Sequence, residues 1–227
     1  FPYTTLFRSD DANSYYYIVN GFKETLAGNI NKVLPNKNFF DKIALYKFEG
    51  LQEQMYSIYE QNLPKNYYYH NIKHMIDVVV QAEIIGQAEG ISDEDMYILK
   101  TAALFHDAGF IRSHKNHERV SIDIAKEMLP QEKYTEQQIT TICRLIESTM
   151  LTKEPITLLE KIIRDADLDY LGRSDYWFVS RELYKELLEL KLIKKNEYEW
   201  TQKQIKFLQE HTYYTNYSRC HRNPEKA

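Results

Sequence analysis

Apolar residues recur every three to four positions through most of this chain, the spacing of one helix face rather than the alternation of a strand. Polar and turn-forming clusters divide the pattern into helices expected near residues 11–33, 39–62, 68–89, 92–108, 117–129, 135–150, 156–170, 173–191 and 196–213. Caps support several of them. Ser92 precedes Asp93-Glu94-Asp95 and then Met96, an N-cap followed by an acidic first turn. Thr135 leads Glu136 into Ile139, Ile142 and Ile146. Gly86 and Gly90 bracket the end of the 68–89 helix, and Pro130 and Pro155 fall in connections. With only 7 glycines and 6 prolines in 227 residues, the chain is expected to be all-α, a compact multi-helix bundle without internal repeats or low-complexity linkers.

Composition narrows the function classes. A hydrophobic content of 43% suffices for one well-cored domain with appendages. The net charge of −4 shows no block asymmetry, so neither a nucleic-acid partner nor an anionic membrane is expected. The two cysteines, Cys143 and Cys220, lie far apart and outside any Cys-x-x-Cys spacing, which argues against a disulfide framework and for a reducing, cytoplasmic setting. No apolar stretch approaches the roughly 20 residues of a spanning helix. The 19 tyrosines, with runs at Tyr15-Tyr16-Tyr17 and Tyr67-Tyr68-Tyr69, are expected to line helix seams. The opening Phe1–Ser9 reads as one frame of a sequencing adapter and is excluded from fold reasoning, so the natural N-terminus is expected to differ. A continuation beyond Ala227 into a further domain stays open.

The candidate chemistry sits on three predicted helices. His70 and His74 stand four residues apart, which on one continuous helix places both on one face, with Asp77 and Gln81 continuing the stripe. Ile72, Met75, Ile76, Val79 and Val80 are the matching core face. The run Ala102–Phe105 ends in the doublet His106-Asp107, with Gly109 as the expected helix stop. A third helix, near 156–170, sets Asp165 and Asp167 among aliphatic residues. Buried imidazoles and carboxylates need a partner, and a divalent cation satisfies them together. Asp165 and Asp167, two residues apart on a helix, point about 200° away from each other, so one ion cannot take both.

The ordered set His…His-Asp…Asp on helices resembles the HD superfamily of metal-dependent phosphohydrolases, over roughly Asn66 to Gly172. Tyr69-His70-Asn71-x-x-His74-x-x-Asp77-Val78 is similar to the opening motif of the cyclic-nucleotide phosphodiesterases, and Ala166-Asp167-Leu168 to their closing one. The Ala108-Gly109-Phe110 that follows His-Asp departs from those enzymes. It is closer to small bacterial HD phosphohydrolases, in which His-Asp-x-Gly is followed by a segment such as Asn116-His117-Glu118-Arg119-Val120-Ser121. The resemblance implies an HD-domain core over 66–172 with the metal site between its helices, N-terminal helices over 10–65 packed on it, and a C-terminal helical extension over 173–227.

Carried to this chain, the resemblance makes His74, His106, Asp107 and Asp167 the metal ligands, and His70 the proton donor to the leaving oxygen. Asp77 would orient a ligand histidine, and Asp165 would lie behind the ligands or in solvent. Lys73, Arg112, Lys115 and Arg119 are candidates for holding substrate phosphate, and His117 with Glu118 for gripping substrate or recruiting a second metal. The expected substrate is a small phosphorylated molecule of nucleotide type, cleaved by metal-activated water. The cation is one of Mn, Fe, Co, Ni, Zn or Mg, because imidazole with carboxylate suits them all. A nucleotide-sensing domain without turnover, a two-iron oxygenase and self-association as a homo-oligomer stay open.

Overall fold

Nine α-helices and two short 3₁₀ segments make up the regular structure of the described residues, 39–226, in the computed structural model; among them there is no strand. The helix expected at 11–33 and the segment 1–9 lie outside the described residues. The chain clusters into two units, Phe1–Leu45 and Tyr46–Ala227, and every site considered below lies in the second. Of the first, the described part is the start of α1 (Phe39–Asn62).

Three helices carry the site. α2 (Ile72–Ala88) begins later than its periodicity suggests. Asn71 is extended and its side chain accepts hydrogen bonds from the backbone N–H of Lys73 (2.9 Å) and His74 (3.3 Å), satisfying donors that a longer helix would have had to occupy. His70 therefore precedes the helix, and the expected one-turn relation of His70 to His74 is replaced by a turn. The buried face of α2 is Met75, Val78, Val79, Ala82 and Ile85, whereas Val80, expected in the core, is 44% exposed. α3 (Asp93–Phe105) is capped by Ser92 and buried continuously from Thr101 to Phe105, because α2, α5 and α6 all pack against it.

The expected stop at Gly109 is a correction of a different kind. α3 ends at Phe105, with His106 as its C-cap, and a 3₁₀ turn follows at Ala108–Ile111. Gly109 is required by close approach: a Cβ there would lie 2.0 Å from the carbonyl oxygen of His117. Its N–H donates to Ser121 Oγ at 2.8 Å, so the glycine of the His-Asp-x-Gly run and the serine of the following segment are joined in space. Asn116, in the left-handed region at φ 52°, turns the chain into α4 (His117–Met128).

α5 (Glu136–Ser148) and α6 (Leu158–Asp167) both start with capping boxes, Thr135 with Gln138 and Thr157 with Glu160. One apolar cluster joins them: Leu51 and Met55 of α1, Leu104 and Phe105 of α3, Leu145 and Ile146 of α5, Ile162 and Ile163 of α6. After the 3₁₀ turn Asp169–Gly172, α7 (Tyr176–Glu189), α8 (Glu197–Glu210) and an additional α9 (Asn216–Lys226) complete the described chain.

Asp165 ties this last part to the core. It is fully buried and accepts from Tyr214 N (3.0 Å), Thr215 N (2.8 Å) and Thr215 Oγ1 (2.7 Å). The expectation that it lies behind the metal ligands or in solvent gives way to an anchoring role. Nearby, Asp169 pairs with Arg222 at 2.6 Å and Gly172 packs on the Arg222 backbone. Among the described residues no helix is long and apolar enough to cross a membrane.

Candidate metal centre

The four residues singled out as ligands come from three different helix ends. His74 lies in the first turn of α2, His106 and Asp107 follow the last turn of α3, and Asp167 is the last residue of α6. His106 Nε2 is 3.3 Å from His74 Nε2 and 3.2 Å from Asp107 Oδ2, and His74 Nε2 is 3.2 Å from Asp167 Oδ1. The two remaining imidazole to carboxylate distances, His74 to Asp107 and His106 to Asp167, are both 3.5 Å. Ligand atoms about 2.1 Å from one ion and at right angles to each other are about 3.0 Å apart, so this spacing fits a shared cation. The ligand atoms of His74, His106 and Asp167 all lie within 4.8 Å of one another, a metal-capable group that Asp107 adjoins through the two imidazoles.

Electrostatics agrees with the distances. Burial alone would raise the Asp107 and Asp167 carboxyls, but the facing imidazoles hold both well below the usual carboxylate range. Burial likewise disfavours a proton on His106, and Asp107 with Asp167 overrides it. A buried carboxylate, a partly buried one and two imidazoles around one point call for positive charge at that point, which a divalent cation supplies.

The tautomer of His106 is set by the backbone. Its Nδ1 lies 2.7 Å from the Ala103 carbonyl oxygen, as a donor would, leaving Nε2 to face the centre. Asp77, expected to orient a ligand histidine, points instead at Arg173, 3.6 Å away. For His106 the task falls to the backbone, because a histidine at the end of α3 finds a free carbonyl in its own last turn.

His70 is held by a residue the sequence reading missed. Glu186 of α7 is 1% exposed; it accepts from the backbone N–H of Tyr69 (2.8 Å) and His70 (3.0 Å) and is hydrogen bonded to His70 Nδ1. Burial pushes the His70 ring toward neutrality, but the bond to Glu186 and the charge of Asp107 raise its proton affinity above the ordinary value. A signal existed in the sequence. Tyr176, Val179 and Leu183 form the inward stripe of α7, and Glu186 continues it, where an aliphatic residue would be usual.

His117 stands on the far side of Asp107, its Nε2 3.3 Å from Oδ1, so that Asp107 reaches His106 with one oxygen and His117 with the other. Phe110 stacks on the His117 ring with centroids 4.0 Å apart, and Glu118 is 3.5 Å from His117 Nδ1.

Of the basic residues expected at the site, Arg112 is drawn off to Glu127 at the surface, and Lys115 and Arg119 are exposed. Lys73 alone lines the cleft that opens on His74 and Asp167, between α2, the 3₁₀ turn after α6, and the start of α7. Arg173, not anticipated, lines it too and is held by Asp175 at 2.6 Å.

Residues 71–169 match the family model described as HD domain, and the chain carries an HD domain over that span. An uncharacterized protein of Clostridium beijerinckii is 37% identical over 78 residues, which cover 32% of this chain and 48% of that protein. The chain therefore spans about half the length of that relative. A crystal structure described as a predicted HD superfamily hydrolase from an uncultured Thermotogales bacterium is 23% identical, with a TM-score of 0.48, over 56% of this chain and 72% of the other.

Proposed function

We propose that the protein is a metal-dependent phosphohydrolase acting on a phosphate ester of a small, nucleotide-like molecule. The observation that carries this reading is the convergence of His74, His106 and Asp167, with Asp107 against both imidazoles, beside a histidine, His70, that is not needed as a ligand. A divalent cation held by those four residues supplies, when bound, an acidified water and a charge that neutralises a phosphoryl oxygen. His70 keeps a proton because Glu186 holds its Nδ1, and its ring lies 6.0 Å from that of His74. From there it donates to the leaving oxygen as the ester bond breaks. The second oxygen of Asp107, facing His117, offers a place for a second cation, which would make Asp107 a shared ligand. Lys73, in the cleft, is the cation placed to meet the substrate. The unpaired Cys143 and Cys220 favour a cytoplasmic setting, and neither nucleic acid nor membrane is a partner in this reading.

The deciding experiment is metal analysis of the purified chain coupled to phosphate release from nucleoside monophosphates, cyclic nucleotides and alarmones, with Asp107→Ala alongside. Metal-dependent turnover of one class, lost in a folded and metal-poor variant, is the expected result. Stoichiometric metal without cleavage of any of them would sink the hydrolase reading in favour of a sensing domain.

A further inference from the structure

The cleft beside the metal centre has a wall of acceptors. Gln81, two turns beyond His74 on the same stripe of α2, lines it, and its buried Oε1 has no hydrogen-bond partner. Asp169, only 1% exposed, lines it as well; one of its oxygens meets Arg222 and the other, Oδ2, is without a partner. Buried acceptors are almost always paired, so two orphans on residues that line one cleft mark a place where a donor from outside the chain belongs.

Charge decides what kind of donor. Two cations line the cleft away from the metal ligands, Lys73 and Arg173, against three carboxylates, Asp77, Asp169 and Glu182. Arg173 is already engaged by Asp175 and Asp77, and Lys73 sits 5.5 Å from the centroid of the Phe178 ring at the cleft wall. A further phosphate would find Arg173 and Arg222 already committed to carboxylates, with no free arginine fork to receive it, and would face the unpartnered Asp169 Oδ2. A neutral, hydroxyl-bearing group would pair the orphaned acceptors and lay a flat ring against Phe178, which is half exposed.

We propose that this cleft holds the organic half of the substrate and selects an uncharged, donor-rich one, such as a nucleoside with its ribose diol, over one that carries additional phosphates. The hydrolase reading supplies only the orientation, phosphate at the metal and alcohol in the cleft; Gln81 and Asp169 supply the selection.

Calorimetric titration of the full chain tests this without turnover. Adenosine is expected to bind roughly tenfold or more tightly than 2′,3′-dideoxyadenosine. Gln81→Leu should close that gap to within about twofold, while Gln81→Glu, which keeps an acceptor at the same place, should preserve it. Adenosine 3′,5′-bisphosphate, which puts one phosphate into the cleft whichever end meets the metal, should bind no more tightly than the 5′-monophosphate. Equal binding of adenosine and its dideoxy analogue, no binding of either, or a clear gain from the second phosphate would each overturn the proposal. Failure of the hydrolase reading is seen separately, as absence of phosphate release from every ester with metal supplied.

Discussion

Glu186 on α7 grips His70 through three contacts at once: the ring nitrogen Nδ1 and the backbone N–H groups of Tyr69 and His70. A carboxylate almost without exposure thereby orients a histidine that lies outside any helix, 116 residues away in sequence. Glu186→Gln keeps the shape and most of the hydrogen bonding but removes the charge that favours a proton on His70. Turnover is expected to fall about 10- to 100-fold with metal content unchanged. The high-pH limb of the rate profile should also move to lower pH, since an acid whose proton affinity has dropped is lost earlier as pH rises. A profile that only shrinks in height would leave Glu186 a structural role alone.

The same reasoning separates His70 from the ligands. His70→Ala should cost roughly 100-fold or more in turnover while the purified protein keeps its metal. Asp107→Ala should lose both, because Asp107 faces His74, His106 and His117 together. Metal analysis of the two variants side by side reads the difference. Equal metal loss in both would place His70 among the ligands.

Gly109→Ala is expected to be among the most damaging small substitutions in the chain. The added carbon would meet the His117 carbonyl at 2.0 Å, a backbone atom that no rotamer change can clear, so the 3₁₀ turn and α4 must part. The cost should be on the order of 3 kcal/mol, seen as a lowered midpoint in chemical denaturation. Because His117 and Asp107 flank this contact, activity should fall further than stability alone explains.

How much of this was legible in the sequence depended on whether the cause was local. The all-α character, most helix positions and the caps at Ser92 and Thr135 rest on periodicity and on residues within one turn, and they could be read directly. The start of α2 was also local. Asn71 is a strong N-cap, but an unbroken His-to-His spacing outweighed it in the reading, so His70 was set on a helix it does not join. Glu186, Arg173 and the anchoring of Asp165 depend on contacts across 49 to 117 residues or on the packing of α7, which no spacing encodes. The surface basic residues failed for the opposite reason: Arg112 has a neighbouring carboxylate, Glu127, one element further on, and a sequence does not show which of two partners a long side chain will choose.

Asp165→Asn tests the tie between core and C-terminal segment. The carboxylate accepts three hydrogen bonds from Tyr214 and Thr215, two of them from backbone N–H groups. An amide can accept at only one of its two ends, so with its oxygen in the Oδ2 place an NH₂ group replaces the Oδ1 that now also accepts from the Tyr214 N–H. A loss of about 1–3 kcal/mol is expected. In hydrogen exchange the amides of Tyr214 and Thr215 should lose protection before those of α3, whereas uniform loss would mean that Asp165 stabilises the core rather than the attachment.

His211 sets a pH limit on the same C-terminal region. Burial, together with the cations Lys226 and Arg164, holds its imidazole down at about 4, against an ordinary 6.5 in the unfolded chain. Its Nε2 is buried without a partner, and Nδ1 lies 3.1 Å from Lys226 Nζ, so a second positive charge has nowhere to go. The unfolded chain therefore binds more protons than the folded one between pH 4 and 6.5, and folding loses stability as pH falls through that window. Above pH 6.5 the contribution is complete. Allowing for the partial exposure of the ring, the loss from pH 7 to pH 5 should be about 1 kcal/mol. His211→Gln removes the titration, so the denaturation midpoint of the variant should decline less between those two pH values than that of the parent. Parallel decline of the two would mean that His211 accepts its proton in the folded chain, by swinging into solvent away from Lys226.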